Sequence, residues 1–141
     1  MRVLAAATLS ILFMAGCASS GRISPTQASA PNAVTAIWDL VVTDKSQTQS
    51  FSFALTDTPA DTCISGNWFQ AQPLSAPQGQ VSRPAYQYQS GELEILLSTE
   101  LCDAYTVLIG NVSGSTFKGS HVSYGLFGST EHGKVSGALR Q

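Results

Sequence analysis

The chain is expected to be all-β: a small antiparallel β-barrel of about eight strands, with a two-sheet β-sandwich as the alternative. Three observations lead there. From Ala36 onward, large apolar side chains recur mostly at every second residue, the period of a strand with one buried face. No sustained helical period occurs between Ala36 and Gln141. Glycine returns every few residues through the carboxy-terminal part, and a sheet coiling around a narrow interior needs such positions because its strands must shed side chains or bulge at the corners.

The elements follow in order. Trp38, Leu40 and Val42 fall on one side and Asp39 and Thr43 on the other, with Ile37 and Val41 interrupting, so a first strand is expected over residues 36–43. Asp44-Lys45-Ser46-Gln47 supplies its turn. Phe51, Phe53 and Leu55 alternate with Ser52, Ala54 and Thr56 in a second strand, which Asp57-Thr58-Pro59-Ala60-Asp61 ends. Residues 63–72 carry Ile64, Trp68 and Phe69, and Gly66 among them marks a bulge or a close backbone approach. Residues 73–84, with Pro73, Pro77, Gly79 and Pro84, form the longest irregular stretch, either functional or loose.

Ala85-Tyr86-Gln87-Tyr88-Gln89 alternates aromatic with amide. Ser90-Gly91 turns it into a strand where Leu93, Ile95 and Leu97 alternate with Glu92, Glu94 and Ser98. Tyr105, Val107 and Ile109 make the next strand, with Gly110-Asn111 as its turn. Three short strands are expected at the end, over residues 115–119, 121–127 and 134–140.

The amino terminus carries a different signal. Arg2 precedes an apolar run, Ile11-Leu12-Phe13-Met14, that closes in Ala15-Gly16-Cys17. This is the layout of a secretory leader, and it is too short to span a bilayer by itself. Met14-Ala15-Gly16-Cys17 resembles the lipobox of bacterial lipoproteins, with Met14 where leucine is commonest. That resemblance implies that the Cys17 thiol receives a diacylglycerol, that the leader is cut before it, and that the new terminus is acylated. Two or more chains give stable attachment, since each buried methylene contributes about 0.8 kcal/mol. Ala18 stands where aspartate would mark inner-membrane retention, so the implied address is the outer membrane, on its periplasmic or its external face. The domains expected are a leader over 1–16, a flexible tether over 17–33, and the barrel over 34–141. The tether is polar, holds Pro25 and Pro31, and lacks apolar periodicity.

The chain has 7 Lys+Arg against 9 Asp+Glu; losing Arg2 with the leader would leave a net charge of about -3, which argues against nucleic acid as a partner. With Cys17 assigned to lipid, Cys63 and Cys102 remain, an even pair in an oxidising compartment, where a disulfide is the default. The loop they close corresponds to roughly 4 kcal/mol in the chain-entropy account. A metal site or redox pair lacks the C-x-x-C spacing and a nearby histidine.

Catalysis finds little support. His121 and His132 are the two histidines, and His132 falls in an expected turn beside Glu131, where it could seat a metal or move a proton. Asp57 and Asp61 flank Pro59, and Glu92 with Glu94 share a strand face, but nothing sets either pair across a cleft, so they read as solubilising charge. No nucleophile elbow, P-loop or zinc signature occurs. No enzyme activity, cofactor or metal is expected. Tyr86, Tyr88 and Tyr105 read as half-buried strand aromatics.

One further resemblance lies near the carboxy terminus. Gly125-Leu126-Phe127-Gly128, then Glu131-His132-Gly133, then Val135-Ser136-Gly137 resembles the end of the β-barrel domain in transferrin-binding-protein-B-like surface lipoproteins. It lacks the proline and second glycine usual in that turn, and no ligand-binding residue of that family can be placed on this sequence. The expectation is a membrane-anchored lipoprotein with a non-catalytic barrel that captures a host protein or a small hydrophobic ligand. The alternative is a periplasmic inhibitor or accessory protein that docks on an enzyme or envelope complex through residues 73–84.

Overall fold

The computed structural model describes residues 35–140. The leader, lipobox and tether expected over residues 1–33, Cys17 included, lie outside the described residues. Eight strands run in chain order: β1 (Ile37–Thr43), β2 (Thr48–Pro59), β3 (Phe69–Ser75), β4 (Ala85–Gln89), β5 (Glu92–Leu96), β6 (Tyr105–Ser113), β7 (Thr116–Gly125) and β8 (Gly128–Leu139). Each pairs antiparallel with the next, and β8 returns to β1 with Trp38 opposite Leu139 and Thr43 opposite Lys134. The sheet is a closed barrel, and the sandwich alternative is excluded.

Alternation explains what fills it. Trp38, Leu40 and Val42 from β1 point inward, as do Phe51, Phe53 and Leu55 from β2, and they meet Phe69, Tyr86, Leu93, Ile95, Leu108 and Phe117. Burying a side chain of the Leu or Phe type contributes about 1.5–3 kcal/mol, and eight strands enclose a space that side chains can fill. Phe51 and Phe53 stack at 6.1 Å between ring centroids. Tyr86 is fully buried rather than half-buried, and its hydroxyl donates to the Thr56 carbonyl at 2.7 Å.

A second apolar cluster sits on the outer wall. Trp68, Ala85, Leu96 and Val107 are buried there, with Ala60, Ile64, Tyr105, Ile109, Val122 and Tyr124 packed around them. Residues 60–68 thus fold back over the outside of β4–β7. Leu93, Ile95 and Leu97 face inward as expected, but the expected alternating set of β6, Tyr105, Val107 and Ile109, faces this outer cluster while Leu108 faces the core, because both faces of the strand are covered. Gly66, at φ +138°, lies against this wall, where an added Cβ would come within 2.9 Å of the Trp68 indole nitrogen. The close approach read from sequence is present.

Several boundaries differ from the sequence reading. β2 runs through Asp57 to Pro59, and β3 continues to Ser75, so the irregular stretch shrinks to residues 76–84. Pro73 is tolerated because β3 and β4 pair only at Phe69 with Tyr86 and Gln70 with Ala85. The Ala71 N–H bonds the Pro84 carbonyl; two residues on, Pro73 turns its missing N–H to the same, now unpaired, side. Gly110-Asn111 is not a turn but part of β6, and the three short terminal strands are two long ones, β7 and β8. The Ser90-Gly91 turn is as expected, with positive φ at both residues.

Arg140 fastens the closure. Its Nε donates to Asp39 Oδ2 at 2.9 Å and a terminal nitrogen to Ser52 Oγ at 3.1 Å, tying the end of β8 to β1 and β2. The guanidinium holds the Asp39 carboxyl below its usual range, helped by Ser52.

Candidate functional site

Four connections gather at one end of the barrel: residues 44–47, 76–84, 97–104 and the β7–β8 turn at 126–127. The chain enters β1 and leaves β8 at the other end, where the Arg140 N–H bonds the Ile37 carbonyl.

On this rim the β7–β8 pairing slips. His121 stands opposite Gly133, but Val122 stands opposite Glu131, leaving His132 as the extra residue of a bulge. A bulge re-aims the side chain it releases. His132 Nε2 lies 2.8 Å from Ser123 Oγ, which lies 2.9 Å from Thr106 Oγ1. The two imidazoles come together at 5.2 Å between ring centroids. With Val42, Asp44, Gln47, Gln49, Gln80 and Leu97 these four residues line a cavity of about 330 Å³. Val42 and Leu97 give it an apolar part; the rest of the lining is polar.

The His121 Nε2 is buried and has no hydrogen-bond partner. Burial lowers the His121 pKa, the neighbouring His132 lowers it further, and Asp44 opposes both. The ring therefore favours its neutral form, with a nitrogen lone pair available. Glu131, expected beside His132 in a turn, lies in β8 and pairs with Lys134 at 2.6 Å, so it does not join the histidines.

The other residues singled out from sequence are dispersed. Cys63 and Cys102 are joined by a disulfide with Cα atoms 5.7 Å apart. It fastens the 60–68 segment to the 97–104 connection, beside the outer apolar cluster. Glu94 accepts a hydrogen bond from Gln87 at 2.7 Å. Asp61 lines a second depression, a groove of about 510 Å³ beside the short β3–β4 seam that also touches Thr56, Gln70, Gln72 and Arg83. Tyr105 stacks on Tyr124 with centroids 5.1 Å apart. Among the described residues, no group of three or more His, Cys, Asp or Glu is arranged to hold a metal.

Two features escape a reading of the sequence alone. Leu126 and Phe127, which the residue pattern places in a strand, form the tip of the β7–β8 hairpin and are 82% and 104% exposed; the flanking Gly125 and Gly128 are the signal that could have placed the turn there. The contact between His121 and His132 depends on an inter-strand bulge, which leaves no local mark. No protein-family model matches the chain, and neither curated proteins nor solved structures give a match.

Proposed function

We propose that the protein is a lipid-anchored envelope lipoprotein whose barrel is a non-catalytic module that binds a protein partner through its loop-bearing rim. The observation that carries this reading is the exposed Leu126-Phe127 pair, held on a hairpin tip above a barrel interior already occupied by Trp38, Phe51, Phe53, Tyr86 and Phe117. An occupied interior favours recognition from the rim over an enclosed apolar guest. Exposed apolar side chains on a well-supported element suit the centre of a contact surface, where little ordering remains to be done on binding.

The rim lies at the end of the barrel opposite the entry to β1, a strand of seven residues or roughly 20 Å of extended chain. A lipid on Cys17 would join the chain at the entry end rather than at the rim. The experiment places a photoreactive residue at Phe127 or at Ser115, on the turn at the opposite end, in cells that make the protein. A discrete adduct at residue 127 and none at residue 115 is expected; no adduct at 127, or equal adducts at both, would refute the reading.

A docking accessory or inhibitor is the second reading, favoured by the order of residues 76–84. The Ser82 N–H bonds the Leu97 carbonyl at 2.9 Å, Ser82 Oγ donates to Glu100 at 2.9 Å, and Thr99 Oγ1 donates to the Arg83 carbonyl at 3.0 Å. A loop held this way is preorganised for a partner. Replacing residues 77–80 with Gly-Ser linker would then abolish the adduct at residue 127, whereas the first reading expects it to persist.

A further inference from the structure

We propose that the rim cavity is a binding site for a divalent transition-metal cation, held by the imidazoles of His121 and His132. The inference is independent of the docking reading. It starts from charge: the cavity is lined by no Lys or Arg, its one formally charged lining residue is Asp44, and its other polar groups are two imidazoles, three glutamine amides and two hydroxyls. Such a set has lone pairs to offer and no fixed cation to compete for them. Imidazole with oxygen donors suits zinc, nickel or copper rather than calcium or magnesium.

The spacing of the rings agrees. On a tetrahedral zinc each imidazole nitrogen lies about 2.0–2.1 Å from the metal, which puts two ring centroids roughly 5 Å apart; His121 and His132 are at 5.2 Å. His121 Nε2 is buried, and no protein group pairs with it. The β8 bulge at His132 is the local irregularity that brings the second ring to the first. Among the described residues no third His, Cys, Asp or Glu completes the set; Ser123 Oγ is already held between His132 Nε2 and Thr106 Oγ1, so His132 would bind through Nδ1 and the remaining positions fall to water or to a group that a partner brings. The site is therefore an open one.

The chain holds two histidines in all, both at this site, so imidazole signals report on it directly. The test uses the full chain in detergent micelles, without a histidine tag and stripped with chelator, to which zinc or nickel chloride is added while the ring resonances of both histidines are followed. One equivalent of metal shifting both rings together is expected, with affinity lowered tenfold or more in His121→Ala and in His132→Ala. His132 is exposed, so its variant keeps the test open should His121→Ala fail to fold. Rings that do not respond, a response confined to one ring, or an affinity unchanged in His132→Ala would overturn the proposal.

Discussion

Gly110 of β6 and Gly119 of β7 stand directly opposite each other inside the barrel wall, and neither has room for a side chain. A Cβ on Gly110 would collide with the backbone of Lys118 and Gly119, and one on Gly119 with the backbone of Ile109 and Gly110. The two strands can coil this tightly because both positions lack a Cβ. Replacing either with alanine forces backbone to move, at no less than the roughly 1–3 kcal/mol of an overpacked core. Chemical denaturation of Gly110→Ala and Gly119→Ala should show that loss, while Gly114→Ala, with open space at its turn, should lose less despite its positive φ.

The Cys63–Cys102 bridge closes a separation of 39 residues, which corresponds to about 4 kcal/mol in the chain-entropy account. Its place suggests more than a global effect, because it fastens the segment that covers Trp68, Leu96 and Val107. The Cys63→Ser, Cys102→Ser double variant should lose most of that stability in urea. Trp68 fluorescence, measured in a Trp38→Phe background, should shift to the red as the segment lifts; an unchanged spectrum would show that packing alone holds it.

Tyr86 links stability to alkaline pH. Burial, assisted by Asp57, pushes its phenol up to about 12, whereas in the unfolded chain a tyrosine ionises near pH ~10. A raised folded value means the contribution is complete below pH ~10 and is lost as pH rises through about 12, by up to roughly 2–3 kcal/mol. Denaturation midpoints between pH 9 and 12 should fall less steeply in Tyr86→Phe than in the parent. At neutral pH the same variant should be less stable by about 1 kcal/mol, since the Thr56 carbonyl loses its donor.

What could be read from the residues depended on how many faces of each strand are covered. β1 and β2 bury one face, so Trp38, Leu40, Val42, Phe51, Phe53 and Leu55 display the period of two openly. Along β5 the inward set Leu93, Ile95 and, just past its end, Leu97 stays legible and Leu96 alone joins the outer cluster, whereas in β6 the alternating Tyr105, Val107 and Ile109 face the outer cluster and Leu108 faces the inner one, so there the period does not say which face is inside. Gly110 looks like a turn because glycine before asparagine usually is one; only Gly119 across the ladder reveals its purpose. The meeting of His121 with His132 needs a register slip between strands, a property of the pair that neither strand carries alone.

The proposed membrane attachment rests on a lipid at Cys17, which would head the mature chain. Intact-mass spectrometry of the protein extracted from membranes of its native cell tests it most directly. The account predicts a chain beginning at residue 17, heavier than its sequence by a diacylglyceryl group and an acyl chain. A free thiol at Cys17, or a cut at another residue, would contradict it.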